Sequence, residues 1–332
     1  MTQAQSKLLP KRQIFYDGTM HFGRHRKRGA FLLTSPQNMG RIGINKWSEN
    51  MKKTVLAFDI DQTLNIAKTP ITEEIADLLI ACLDHYEICP ISGQKFDQFL
   101  IQIVNPMLER GVKPTQLEHL HLFVAQGTQY YRYNNTTTKK YGGGPISIEV
   151  SKDHPFAKYD ESKWEQVYSF PLTDEQVKNI TFAIETAAKE LGFWEEDKLQ
   201  KGDEIIENRL SQVTFSALGQ KAGTEEKYAW DPDCKKRNQI VKRAKELAPE
   251  FDYEVGGTTS INAITPGMNK QFGMNKLLKE LGVKKSDILY FGDMTQPGGN
   301  DYPVVQMGID TITVRSHEDT AFALRGILGV SD

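Results

Sequence analysis

Residues 55–64, Val-Leu-Ala-Phe-Asp-Ile-Asp-Gln-Thr-Leu, limit what this chain can fold into more than any other stretch. Four consecutive apolar residues, Val55 to Phe58, read as a strand buried on both faces, the pattern of a parallel sheet. The run ends in two carboxylates at i and i+2, Asp59 and Asp61, followed by the hydroxyl of Thr63. Period-2 geometry sends both carboxylates to one side while the chain stays extended. In open α/β sheets the chemistry sits beyond the carboxyl ends of the strands, where Asp59 falls. Two acids that close require a cation between them or a raised pKa on one. Asp-x-Asp after a strand is also a common turn, so the rest of the chain decides.

Strand and helix patterns alternate on either side of that stretch. Thr72-Glu73-Glu74 opens a helix with Ile75, Leu78 and Leu79 at helical spacing. Glu87 to Ile91 reads as a second strand and ends in Ser92-Gly93-Gln94. A small hydroxyl and a glycine there suit a phosphate oxygen, with a helix N-terminus behind them, although a plain strand-to-helix turn fits Ser92 equally well. Phe96, Phe99, Leu100, Ile103 and Leu108 predict a helix closed near Gly111, and Leu120 to Ala125 a third strand. Alternation of this kind predicts a doubly wound, Rossmann-like parallel sheet, class α/β.

The middle of the chain changes character. Asn134 to Pro145 is a polar, glycine-rich loop, and antiparallel-looking strands follow at 146–150, 166–170, 204–210 and 212–218. Val213 and Phe215 alternate with polar neighbours, as in a half-exposed strand. Thr173 to Gln176 is a capping box opening a helix that ends at Gly192, and a second helix runs over 233–247. This pattern predicts an inserted α+β unit. The core pattern then resumes with Asn269-Lys270 before a helix ended by Gly282. The strand Ile288 to Phe291 delivers Gly292-Asp293, Asp301 follows, and Thr311 to Val314 is the last strand. We therefore expect a core over 51–128 and 264–332, an insertion over 129–263, and an extension over 1–50.

Composition narrows the function classes. A formal charge of −2 gives no global case for nucleic acid, and no apolar run approaches the roughly 18 residues a membrane span needs. Three cysteines without paired spacing argue against a disulfide framework and a zinc site, and a reducing, cytoplasmic compartment is expected. Residues 1–50 carry nine Lys/Arg against Asp17 and Glu49. Their Arg24–Arg28 run suits an anionic surface or nucleic acid, and an Arg-rich leader suits a transit peptide. The reading preferred over both is that Met51-Lys52-Lys53 is the natural start and the extension an over-called reading frame. We expect poor order and no catalytic role there.

Two acid clusters at strand ends, a lysine and a serine point to Mg²⁺ and phosphate. Magnesium takes hard oxygen ligands and is bound through one or two carboxylates plus substrate phosphate. Asp59, ionised at neutral pH, is a nucleophile without needing a base. Its attack on a phosphoryl group gives an aspartyl-phosphate, and Asp61 is placed to protonate the leaving alcohol and deprotonate the incoming one. Lys270 suits a phosphate oxygen or Asp59. Taken alone, it reads as a solvated lysine at a helix start.

Asp59-x-Asp61-x-Thr63, Ser92, Lys270 and Gly292-Asp293…Asp301 stand in the order of the four motifs of the haloacid dehalogenase superfamily, which the chain resembles. The insertion between the second and third motifs resembles the type-IIB branch. Phe291-Gly292-Asp293-x-Thr295-x-Pro297-Gly298-Gly299-Asn300-Asp301-Tyr302, Ser216-x-x-Gly219 with Glu225-Glu226, and Gly256-Gly257-x-x-Ser260 resemble the eukaryotic-type phosphomannomutases over about residues 54 to 320. The resemblance implies Asp59 as nucleophile, Asp61 as acid/base, and Mg²⁺ held by Asp59, the Asp61 carbonyl and Asp293, with Asp301 in the acidic set. It implies Thr63, Ser92 and Gly93 around the transferred phosphate, a sugar phosphate as substrate, and a homodimer formed through the cap. Arg209 keeps its place in the distal-phosphate set, whereas Lys68 and Lys227 stand where arginine is usual and Gln220 replaces another. Asn262 follows Ser260 where an aspartate meets sugar hydroxyls, and Gln62 replaces a glycine. Lysine lacks the bidentate fork that arginine offers phosphate, and glutamine lacks the charge. Both a hexose phosphomutase and a sugar-phosphate phosphatase therefore stay open.

Overall fold

The first strand, β1 (Val55–Phe58), is buried along its whole length and lies inside a parallel sheet, as four apolar residues in a row require. The computed structural model describes residues 53–66, 69–134 and 163–331, all within one compact unit. The basic extension, Lys68 and the predicted strand at 146–150 lie outside the described residues. Helix α1 (Glu73–Cys82) follows β1, N-capped by the Thr72 hydroxyl, and leads into β2 (Glu87–Pro90). Between β2 and β3 (His121–Val124) the predicted helix is present, but Leu100–Val104 is a π-helical turn between α-helical Phe96–Phe99 and Asn105–Glu109. Pro106 has no N–H to return to the Gln102 carbonyl, and that carbonyl instead accepts the Ile71 N–H at 2.8 Å.

β4 (Gln129–Tyr133) and β5 (Trp164–Ser169) pair antiparallel onto β3, and β3 bridges to β2 through Leu120 and Phe123. Both stretches fall in the expected insertion over 129–263, where, of the two, only 166–170 is predicted as a strand. They extend the core sheet instead, because Tyr131 and Trp164 bury in the same cluster as β1 and β2, and Tyr130 in the cluster on the opposite face. Antiparallel edge strands on a parallel sheet are a common arrangement.

The chain then builds a separate layer. Helix α2 (Asp174–Glu190) carries the predicted capping box, with Thr173 and Gln176 bonded reciprocally. Strands β6 (Ile206–Asn208) and β7 (Gln212–Ser216), helices α3 (Thr224–Trp230) and α4 (Lys235–Leu247), and strands β8 (Asp252–Gly256) and β9 (Ser260–Ile264) complete it. The four strands form an antiparallel sheet in the order β6-β7-β9-β8. Val213, Phe215, Ile261 and Ala263 face α2 and α4 through Ile180, Ile184, Ala187, Ile240 and Ala244. The alternation in β7 predicted a half-exposed strand, yet its polar residues Gln212, Thr214 and Ser216 are fully buried. That polar face is bonded to Gly93, Asn262 and Ser260 of the cleft wall rather than to bulk solvent.

Helix α5 (Lys270–Leu281), capped by Asn269 and closed by Gly282 in the left-handed region, returns the chain to the core. β10 (Ile288–Gly292), β11 (Asp310–Thr313) and helix α6 (His317–Ser331) complete it, giving the order β11-β10-β1-β2. Apolar residues of α1 and α6 cover one face of this sheet, and Met274 and Leu277 of α5 the other. A buried side chain such as Phe58 or Phe291 contributes about 1.5–3 kcal/mol on leaving water. The core is thus a doubly wound α/β sheet with a separate antiparallel α+β layer.

Candidate functional site

Parallel pairing brings the predicted chemistry together. Phe58 stands opposite Phe291 on one side and Pro90 on the other, so Asp59, Asp293 and Ser92 emerge from three adjacent strand ends. The Asp59 N–H donates to the Phe291 carbonyl at 2.9 Å, fixing the first residue past β1. Lys270, the first residue of α5, is fully buried, not solvated. Its Nζ donates to Asp59 Oδ1 and Asp301 Oδ1, each at 2.5 Å, and contacts the Tyr290 hydroxyl at 3.3 Å. Asp301 is fully buried; Oδ1 also accepts the Tyr290 hydroxyl at 2.5 Å and Oδ2 the Met294 N–H at 3.0 Å. A Cβ on Gly292 would lie 2.6 Å from Asp301 Oδ2, so glycine is needed for the carboxylate to tuck under β10.

Carboxylate oxygens of Asp59, Asp293 and Asp301 lie within 4.8 Å of one another. Burial pushes the Asp59 carboxyl well above the usual carboxylate range against the pull of Lys270, and Asp301 and Asp293 add to the rise. Burial and then Asp301 raise Asp293 to about 6. A divalent cation would relieve this crowding, and the donor set is entirely hard oxygen, which suits Mg²⁺. The acidic cluster fits a metal ion.

Asp59 and Asp61 stand at the base of a cleft with about 560 Å³ of empty space, part of it open to solvent. Ser92, Gly93, Arg209, Gln220, Ser260 and Asn262 line the same cleft, so most of the predicted residues meet there. Arg209 reaches it from beyond β6, but its guanidinium is already engaged. Nε and Nη2 donate to Glu207 Oε2 at 3.1 and 2.6 Å, and Nη1 to the Gly93 carbonyl at 2.8 Å. Gln220 Nε2 also donates to Glu207, at 3.1 Å, and to Ser216 Oγ at 3.0 Å. Burial opposes ionisation of Glu207, but Arg209 and Lys95 outweigh it and hold the carboxyl below its usual range.

Thr63 and Lys227 stand back from the cleft lining, as do Lys270, Asp293 and Asp301 of the acidic end. Thr63 is fully buried, and its carbonyl accepts the Thr320 hydroxyl at 2.6 Å. Lys227 donates its ammonium to the Gln220 carbonyl at 2.5 Å, and burial lowers its pKa. Lys68 lies outside the described residues. Gln98, Gln102 and Gln126, which no motif signalled, also line the cleft, with Gln94 after Ser92-Gly93 and Asn300 of the fourth motif. Gln126 sits in the turn after β3, where Ala125 and Gln126 both take positive φ, +48° and +62°. Two non-glycine residues in the left-handed region are uncommon, and such strain concentrates at functional sites. No sequence pattern announces it.

The sequence model of the eukaryotic phosphomannomutase family matches residues 161–330, which span the antiparallel layer, Lys270, Asp293 and Asp301. The chain belongs to the eukaryotic phosphomannomutase family. Similar proteins include a probable phosphomannomutase of Caenorhabditis elegans, 22% identical over 76% of this chain and 86% of that protein. Phosphomannomutase 2 of Dictyostelium discoideum is 23% identical over 81% of this chain and 94% of its own length. Among solved structures, an N-terminally truncated Plasmodium falciparum IMP-nucleotidase has a TM-score of 0.56 at 15% identity, over 85% of this chain and 72% of that one. A haloacid dehalogenase-like hydrolase from Bacteroides thetaiotaomicron has a TM-score of 0.50 at 14% identity, over 83% and 100%. These two likenesses are of fold. The chain is a phosphomannomutase-like enzyme of the haloacid dehalogenase phosphotransferase type. No helix among the described residues is long and apolar enough to cross a membrane.

Proposed function

We propose that this phosphomannomutase-family enzyme moves a phosphoryl group from a hexose phosphate through an aspartyl-phosphate on Asp59, interconverting mannose 6-phosphate and mannose 1-phosphate. The observation that carries this reading is the Asp59 carboxylate at the end of β1, held by buried Lys270 beside Asp293 at the base of a cleft. Asp59 attacks phosphorus as the nucleophile. Asp61 gives a proton to the departing sugar oxygen and takes one from the incoming hydroxyl. Lys270 orients Asp59 and limits the charge an anionic substrate meets, while Asp301 and Tyr290 hold Lys270 in place. Asp59, Asp293 and the Asp61 main-chain carbonyl would hold Mg²⁺, with Asp301 completing the acidic set; when bound it offsets charge on the phosphoryl oxygens. Ser92 and the chain at Gly93 receive the transferred phosphate, and Ser260 and Asn262 the sugar. Arg209, Gln220, Lys227 and Lys68 form the distal-phosphate set.

One observation favours a second reading, sugar-phosphate hydrolysis. Every side-chain nitrogen of Arg209 is already bonded within the protein, and Gln220 brings no charge. A distal phosphate held this weakly leaves the aspartyl-phosphate open to water.

The deciding assay supplies purified protein with Mg²⁺ and mannose 6-phosphate, with and without glucose 1,6-bisphosphate, and follows mannose 1-phosphate and free phosphate together. Isomer that depends on bisphosphate, with little free phosphate, is the expected result. Free phosphate without isomer shifts the reading to the phosphatase. Asp59→Asn is expected to lower either activity by at least about 10³-fold, and a variant that keeps turnover removes Asp59 as the nucleophile. We also take the cap to be the layer between β5 and α5, the enzyme to be cytoplasmic, and the cap to carry a homodimer contact. A solution mass equal to one chain would remove the last.

A further inference from the structure

The cleft beyond the acidic end is lined by amides. Of its fifteen lining residues among those described, seven are carboxamides and one, Arg209, is a cation already bonded to Glu207 and Gly93. Gln94 follows the strand-end Ser92-Gly93 pair and is 6% exposed, yet neither Nε2 nor Oε1 has a hydrogen-bond partner. Gln126, 1% exposed, leaves Oε1 unpartnered, and its Nε2 reaches Glu254 only at 3.5 Å. Asn300, from the loop after β10, leaves Oδ1 unpartnered as well. A buried amide without partners costs about 1–3 kcal/mol in an apolar surrounding, so three at one cleft mark a place where a ligand completes the bonding.

The amides converge from separate elements. A Cβ placed on Gly93 would stand 3.0 Å from Asn262 Nδ2, 3.4 Å from Gln126 Nε2 and 3.6 Å from Gln212 Nε2. Asn262 comes from β9, Gln126 from the strained turn after β3, and Gln212 from β7. Asn262 and Gln212 are bonded to each other and to Thr214, which fixes that wall. Gln212 also leaves Oε1 open but is tied down through Nε2, whereas the Gln94 amide has no partner and that of Gln126 one contact at 3.5 Å.

An amide offers one strong acceptor and two donors and no charge. Such a pair matches an uncharged group that carries both donors and acceptors, and gives a second phosphate nothing to neutralise. We propose that Gln94 and Gln126 form a specificity-determining subsite for the uncharged, hydrogen-bonding body of the substrate, next to the phosphate end at Asp59 and Ser92. This rests on the proposed phosphoryl-transfer reading and goes beyond it. The group read there is a hydroxyl-bearing sugar ring or the edge of a nucleobase, which present the same chemistry to an amide.

The test measures binding without turnover, on full-length Asp59→Asn protein by calorimetry. The probes are inorganic phosphate, mannose 6-phosphate and adenosine 5′-monophosphate. At least one ester is expected to bind about tenfold or more tightly than inorganic phosphate, because its body adds hydrogen bonds of the usual strength. The ester that does so identifies the body as sugar or nucleoside. Adding Gln94→Leu or Gln126→Leu is expected to remove that tenfold advantage and to leave inorganic phosphate binding within about twofold. Gln94→Met and Gln126→Met, which keep the length but remove the amide, serve where a leucine variant fails to fold. Equal binding of all three probes overturns the inference, as does an ester advantage that survives both leucine variants. Loss of turnover in the parent assay bears on the chemistry of Asp59 alone, so the two readings fail separately.

Discussion

Lys270 joins two carboxylates, Asp59 and Asp301, with its ammonium fully removed from water. Removing one partner of such a buried set strands the others uncompensated, which is why its members act as a unit. Asp293 stands at the edge of that set, raised to about 6 by burial and by Asp301. Its folded pKa therefore exceeds its ordinary value. The stability it contributes is present below the ordinary carboxylate range and is lost as pH climbs through about 6. A metal ion must displace the proton on Asp293 below that point and meets a free carboxylate above it. Added Mg²⁺ is thus expected to raise the melting temperature more at pH 7.5 than at pH 5.5. Equal shifts at the two pH values would exclude Asp293 from the metal site.

At the scale of elements, the site depends on how closely α5 approaches the turn after β3. A Cβ on Gly273 would come within 2.5 Å of the Gln126 carbonyl and 2.5 Å of Ile91 Cδ1. The two backbones touch, and that contact sets both Lys270 at the head of α5 and Gln126 in the turn. Alanine is the better helix former by about 1 kcal/mol. The overlap costs about 1–3 kcal/mol and more where backbone is hit, so Gly273→Ala is expected to destabilise on balance. Urea unfolding reads this directly; an unchanged or higher midpoint would mean that the turn yields freely. Element identity was legible in the sequence wherever periodicity ran long: the strand at β1, the capped helix α2 and the Gly282 stop of α5 all appear as read. The assignment of β4 and β5 was not, since their aromatic pattern says antiparallel without saying which sheet they extend.

For the molecule as a whole, the antiparallel layer is bonded to the core through Arg209 and Gln212 to Gly93, Glu207 to Lys95, and Tyr228 to Gln62. Gln62, in the left-handed region at φ +64°, donates its side-chain amide to the Tyr228 hydroxyl of α3. This joins the loop carrying Asp61 to a helix of the antiparallel layer. Tyr228→Phe removes the hydroxyl and leaves the ring. A neutral hydrogen bond of about 0.5–1.5 kcal/mol lost there predicts a roughly two- to tenfold rise in phosphate released per isomer formed. An unchanged ratio would show that closure does not depend on this contact.

The sequence by itself determined the frame and the edge of it at which the acids gather. A strand buried on both faces must sit inside a parallel sheet, and acids placed after such strands must gather at its carboxyl edge; Asp59, Asp61 and Asp293 follow from that rule. The family motifs added Lys270 and Ser92 in the right order. Only the tertiary structure decided that Lys270 is buried, that Thr63 lies beneath the loop, that Arg209 is held by Glu207, and that the polar face of β7 looks inward. It alone assembled Gln94 and Gln126, which are far apart in sequence and follow no periodic pattern. Periodicity reports which face of one element avoids water. Which polar groups from different elements face each other depends on how those elements pack, and a local pattern carries no information about that.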